Sequence, residues 1–113
     1  TVAEYNIMKQ HVNFGYEKVK NQNIDIRIKE ACLLHHEKCD GTGYPFGLKS
    51  DHIPAVAKII AIADVYDAMT SARVYRGALC PFEVIDTMYK DAFTKFEPEY
   101  ILPFLKNRIL ITM

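Results

Sequence analysis

The chain has 113 residues, enough for one domain or part of one, and it is half apolar with seven Tyr and six Phe, which excludes a disordered chain. Fourteen basic residues balance fourteen acidic ones, so nothing draws the whole molecule to a nucleic acid polymer or an anionic membrane. Three cysteines, Cys32, Cys39 and Cys80, lack CxxC spacing; they argue against a disulfide framework or a thiolate zinc site and for a reducing compartment.

Along the chain, residues 1–4 ("TVAE") have the form of a capping box, and Tyr5, Met8, Val12, Tyr16 and Val19 recur at helical spacing behind it. A first helix is expected there, with a polar break at 20–23. Ile28, Ala31, Cys32 and His35 mark one face of a second helix, expected to end near the glycines of 41–47. Residues 37–53 combine charge, Gly and Pro without an apolar period and read as a long ordered loop. Pro54 suits the first turn of a helix over 54–72 that is apolar nearly all round, and so is expected to be central and buried. Pro81 opens another helix with Phe82, Ile85, Met88, Tyr89 and Ala92 on its face. Pro98 opens the last, carrying Ile101, Phe104, Leu105 and Ile109. Without repeats, linkers or strand patterns, the fold class is all-α, about five helices and a long loop. No apolar run is long enough to span a bilayer and no signal peptide is evident, so a cytoplasmic location is expected.

Asp64 and Asp67 interrupt the most apolar of these helices. A buried carboxylate is costly unless it is paired, hydrogen-bonded or bound to metal. Ala57, Ala61, Asp64 and Ala68 form a stripe of small residues, which leaves room beside Asp64. The plainer reading pairs Asp64 with a core arginine or a helix cap, and lets Asp67 bond Arg73 or a backbone amide. His35 and His36 are adjacent, so on a helix they would point about 100° apart and address one metal centre or two neighbouring ions. A lone histidine on an apolar face is more often a satisfied core residue. Together with His11 on the first helix and Asp64, however, they make an N₃O set suited to Fe, Mn or Zn.

The stretches "MKQHVNFG" (8–15), "HHEKCDGTGYPFGL" (35–48), "IPAVAKIIAIADVYDAMTSARVYR" (53–76) and "FEP" (96–98) occur in order, and together they closely resemble the HD-GYP family. That family is a branch of the HD phosphohydrolases that hydrolyses the bacterial second messenger cyclic di-GMP. The resemblance implies a helical bundle of HD-domain type. It makes His11, His35, His36 and Asp64 metal ligands, with two or three divalent ions, Fe or Mn, in an intact site. It assigns Arg73 and Arg76 to substrate phosphate, and makes Asp40, Gly43, Tyr44 and Pro45 a signature loop that shapes the site or docks a protein partner. The chemistry agrees: phosphodiester hydrolysis needs a strong nucleophile and neutralised phosphoryl charge, which metal ions and arginine forks supply. For Arg73 and Arg76 the plainer reading is a solvated charged turn. Tyr44 suits stacking on a guanine, or packing. Glu37 and Lys38 read as outer or surface residues.

Several positions depart from the family's form. Cys39 stands where an aromatic is common, so looser packing is expected behind the loop. Ala72, Val74, Ser50 and Glu97 replace a usual aspartate, proline, glycine and aspartate. The family's His-Asp dipeptide does not occur in these residues; it is expected upstream of "MKQH", making residues 1–113 the C-terminal portion of a single HD-GYP domain. Uncovered apolar surface then leaves homo-oligomers and helix exchange open. The leading expectation is a metal-dependent cyclic di-GMP phosphodiesterase in the parent protein, with little activity from this segment alone. A non-hydrolysing receptor or docking module, and an HD phosphohydrolase acting on another nucleotide, are the alternatives.

Overall fold

A computed structural model describes residues 1–71 and 80–112. Five helices run in the order α1 (Val2–Val19), α2 (Ile26–Leu34), α3 (Ala55–Thr70), α4 (Pro81–Lys90) and α5 (Pro98–Thr112), with a 3-10 turn at Ser50–His52. No strand occurs among the described residues; the nearest approach is an isolated antiparallel bridge between Asp40 and Lys49.

Local chemistry sets the helix starts. Thr1 Oγ1 accepts the Glu4 N–H at 3.0 Å, half of the capping box expected for α1. Asp25 caps α2 by accepting the Arg27 N–H at 2.9 Å, and Arg27 returns its guanidinium to the same carboxylate at 2.7 Å. Pro81 and Pro98 occupy first helical positions, where their missing N–H is no loss. Pro54 stands one residue before α3, in extended conformation.

The core forms where α3, α4 and α5 meet, around Ile62, Val84, Met88, Phe96, Ile101 and Leu105. On the other side α2 packs along α3, and α1 packs on α2. This two-sided arrangement corrects the expectation for α3. Only Ala57, Ala61 and Ile62 are buried; Ile59 is 50% exposed and Ile60 39%. Neighbours flank the helix without enclosing it, and Asp64 and Asp67, expected to be buried, are both exposed. On α1 the expected stripe is buried only at Val12, because α2 is the one helix that it packs on among the described residues. On α4 the buried face is rotated from the expected one. Val84 (0%), Ile85 and Met88 point inward, while Phe82 and Tyr89 are exposed, Tyr89 setting its ring edge against Phe93. On α5, Ile101 and Leu105 are buried, Phe104 meets Tyr66 edge-on, and Ile109 is exposed.

The long loop is ordered by its own hydrogen bonds. Cys39 donates its N–H to the Lys95 carbonyl at 2.9 Å, and Ser50 donates to the Cys39 carbonyl at 3.1 Å. Gly41 and Gly47 turn the chain at φ of 83° and 69°, in the left-handed region that favours glycine.

Candidate metal centre

The second helix ends earlier than expected, at Leu34, because the chain turns at His35 instead of carrying on to the glycines. His35 is the C-cap, and its Nδ1 lies 2.7 Å from the Ala31 carbonyl. A carbonyl can only accept, so Nδ1 carries the proton and Nε2 keeps its lone pair free. His36 follows in the turn, outside the helix, with its ring centroid 4.0 Å from that of His35 and tilted by 43°. Asp64 reaches the pair from α3. One potential ligand atom from each of His35, His36 and Asp64 lies within 4.8 Å of the other two, with both histidines half-buried and the carboxylate exposed. Two imidazoles and one carboxylate at that spacing are a fitting donor set for a first-row divalent ion.

The electrostatics favour ligation. Burial pushes the His36 imidazole below its ordinary value; the nearby His35 and Lys38 act in the same direction, and Asp64 opposes them. At neutral pH this keeps His36 uncharged and able to donate its lone pair. Burial likewise lowers the Lys38 ammonium, with Lys95 adding to the effect and Asp64 opposing it.

Above the histidines opens a cavity of about 570 Å³, lined by His11, Gly15, His35, His36 and Tyr44, with Ile7 and Met8 on the α1 side. His11 is exposed on that wall and stands outside the three-residue group. Gly15 follows it by one helical turn, and nothing lies within 4 Å of where its Cβ would be, so the glycine keeps the cavity wall low. Tyr44 stacks on His36, with ring centroids 4.9 Å apart and planes 14° from parallel. One face of its ring is therefore used within the protein. Arg73 and Arg76 lie outside the described residues, as do Ala72 and Val74.

Two features of the site were not singled out from sequence. Glu37, read as an outer or surface residue, is 3% exposed and accepts the N–H groups of Phe46 and Leu48, both at 2.7 Å. The signal available was the loop itself: a folded loop with many backbone N–H groups needs acceptors, and a carboxylate beside it is the natural one. Tyr5 donates its hydroxyl to the Gly43 carbonyl at 3.2 Å and meets Tyr44 edge-on at 5.5 Å. Three of the departures also meet. Ser50 Oγ donates to Glu97 Oε2 at 2.6 Å, Lys58 Nζ stands 3.5 Å from the same oxygen, and burial raises the Cys39 thiol beside them while Ser50 opposes that rise. This joint ties the loop to α3 and to the start of α5.

The structure thus brings together a histidine pair at the end of one helix, an aspartate on the next and a Gly-Tyr-Pro loop beside them, three of the four residues that the resemblance implied as ligands, with His11 on the cavity wall. The family model described as "HD domain" matches residues 1–100. This chain belongs to the HD-domain family, in its HD-GYP branch. Among curated relatives of the HD-GYP chain, the cyclic di-GMP phosphodiesterase response regulator RpfG of Xanthomonas campestris pv. campestris is 39% identical over 110 residues, covering 96% of this chain and 29% of the relative. A cyclic di-GMP phosphodiesterase of Thermotoga maritima is 38% identical over 114 residues, covering 99% and 31%. The 3'3'-cGAMP-specific phosphodiesterase 1 of Vibrio cholerae is 52% identical over 89 residues, covering 76% and 20%. The chain thus spans a third or less of the length of these relatives. No described helix is long and apolar enough to cross a membrane.

Proposed function

We propose that this HD-GYP segment contributes the metal centre of a metal-dependent phosphodiesterase that hydrolyses cyclic di-GMP. The observation that carries the reading is the convergence of His35, His36 and Asp64 at the foot of an open cavity. His35 would hold an ion through Nε2, its other nitrogen being fixed on the Ala31 carbonyl. His36 and Asp64 would complete a three-donor set, and His11 would join from the cavity wall. Divalent ions, Fe or Mn by donor chemistry, supply Lewis acidity toward phosphoryl oxygens and a strong nucleophile from water at neutral pH. Four donors hold one ion, so the two or three ions of an intact site need further ligands from outside residues 1–113, which we take as the C-terminal part of one HD-GYP domain.

The protein's own side chains would do the rest. Arg73 and Arg76 would grip the phosphates, with bidentate geometry that lysine does not offer. Tyr44 would border the bases, and the cavity above the histidines has room for a nucleotide-sized group. Phe46, 60% exposed on the loop, is the side chain that a docking protein would meet. We place the protein in the cytoplasm, where cyclic dinucleotide messengers act, and leave self-association through the exposed apolar flank as part of the reading.

One observation favours a second substrate. The cGAMP-specific relative shares the highest identity of the three, 52%, within the 89 residues that it matches. The test is to assay the full-length protein carrying these residues with Mn²⁺ or Fe²⁺ on cyclic di-GMP and on 3',3'-cGAMP side by side. Hydrolysis of cyclic di-GMP is expected, with Asp64→Asn lowering turnover by at least about 100-fold and lowering metal content with it. Faster hydrolysis of 3',3'-cGAMP would move the assignment to the second substrate. Undiminished turnover in Asp64→Asn would overturn the metal centre.

A further inference from the structure

Glu37 is the one buried charged side chain among the described residues, and the histidine chemistry above does not use it. Its oxygens divide the work: Oε2 accepts the N–H of Phe46 and Oε1 that of Leu48. A carboxylate that bridges two N–H groups two residues apart fixes the intervening turn as one body, through charge-assisted bonds stronger than neutral ones. The same turn is held at its other end. Tyr44 donates its N–H to the His36 carbonyl at 3.2 Å, and Gly43 lies so close to the 36–38 backbone that a Cβ would overlap His36 O and Lys38 N. The result is the flat stacking of Tyr44 on His36.

The two histidines are therefore oriented differently. A carbonyl of its own helix holds the His35 ring. Among the described residues the His36 ring makes no hydrogen bond, and the rings that border it are those of Tyr44, stacked on it, and of His35, tilted against it. A ring without a hydrogen-bonded anchor turns unless packing stops it, and a turned imidazole presents no lone pair to the other two donors.

We propose that Glu37 is a positioning residue of the metal centre: it ties down the 43–48 loop so that Tyr44 holds the His36 imidazole facing His35 and Asp64. This rests on the metal-centre reading above. No contact of Glu37 with metal or substrate is involved; it acts through the loop and the Tyr44 ring.

The experiment uses the full-length protein with isotope-labelled histidine, followed by NMR in the metal-free form and by Co²⁺ titration. In the wild type, the Tyr44 ring current shifts the His36 ring protons upfield, and a His36→Ala spectrum assigns them. Glu37→Gln keeps the side-chain shape and one acceptor oxygen but frees one loop N–H. It is expected to move the His36 ring protons downfield and to weaken Co²⁺ binding about tenfold, in the range typical of residues behind a metal ligand. Tyr44→Leu leaves the Glu37 bonds in place and is expected to reproduce both changes, which keeps the test sharp should Glu37→Gln fail to fold. A purely structural role for Glu37 would lower the melting temperature and leave the His36 shifts unchanged. That result, or Tyr44→Leu with unaltered Co²⁺ affinity, would overturn the proposal. Failure of the underlying reading looks different: the wild type binds no Co²⁺, while the His36 shifts still report whether the loop holds the ring.

Discussion

Gly43 has no space for a side chain, since a Cβ there would overlap backbone atoms of His36 and Lys38 and come 2.6 Å from Glu37 Cα. Backbone cannot step aside as a flexible side chain can, so Gly43→Ala is expected to destabilise the protein by at least about 1–3 kcal/mol, measured by thermal or urea unfolding. Asp25 is a quieter case. The hydrogen bond from the Arg27 side chain, then the Arg27 N–H, holds its carboxyl at about 2, below the ordinary 3.8. A carboxyl lowered in the folded state contributes stability above its unfolded value and loses it as pH falls through its folded value. An NMR titration should therefore place the Asp25 midpoint near 2, and Arg27→Ala should return it toward 3.8. Because the pair is exposed, added salt should also raise the midpoint.

The helices themselves were legible in the sequence, because capping residues, prolines and apolar spacing are local signals. Thr1, Pro81 and Pro98 start helices where their chemistry says they should. What the sequence could not show was which side of each helix finds a neighbour. Phe82 and Tyr89 satisfy the helical period of α4 as well as Val84 and Met88 do, and only the position of α3 and α5 decides between them. The approach of the histidines to Asp64 was legible through residue type and family resemblance. The loop that holds His36 was not, because Glu37 belongs to no periodic pattern and its partners are backbone atoms 9 and 11 residues away. Within α1, Gly15 is open to its surroundings and costs helix stability through backbone freedom. Gly15→Ala should raise the stability of α1 by about 0.5–1 kcal/mol, seen as a higher melting temperature with helical content unchanged. A fall in stability would mean that another part of the protein packs directly against that glycine.

Across the whole molecule, the core lies between α3, α4 and α5, and the candidate site lies on the opposite flank of α3, where α2 ends. That flank is sparsely covered. The cavity above the histidines adjoins a second of about 480 Å³ between α2 and α3, and Cys32 and His35 line both. The fold thus keeps its main core contacts away from His35, His36 and Asp64, the groups that the proposed metal centre needs accessible. The Ala31 carbonyl of α2 holds His35, the Tyr44 ring borders His36, and Asp64 stands on α3, the helix that carries the core residue Ile62. The most direct measurement is crystallographic: soak crystals of the full-length protein with Mn²⁺ and collect anomalous diffraction at the manganese edge. The predicted result is a peak about 2 Å from His35 Nε2, with a His36 ring nitrogen and an Asp64 oxygen at similar distance. A manganese peak elsewhere in the protein, with His35, His36 and Asp64 bare, would contradict it.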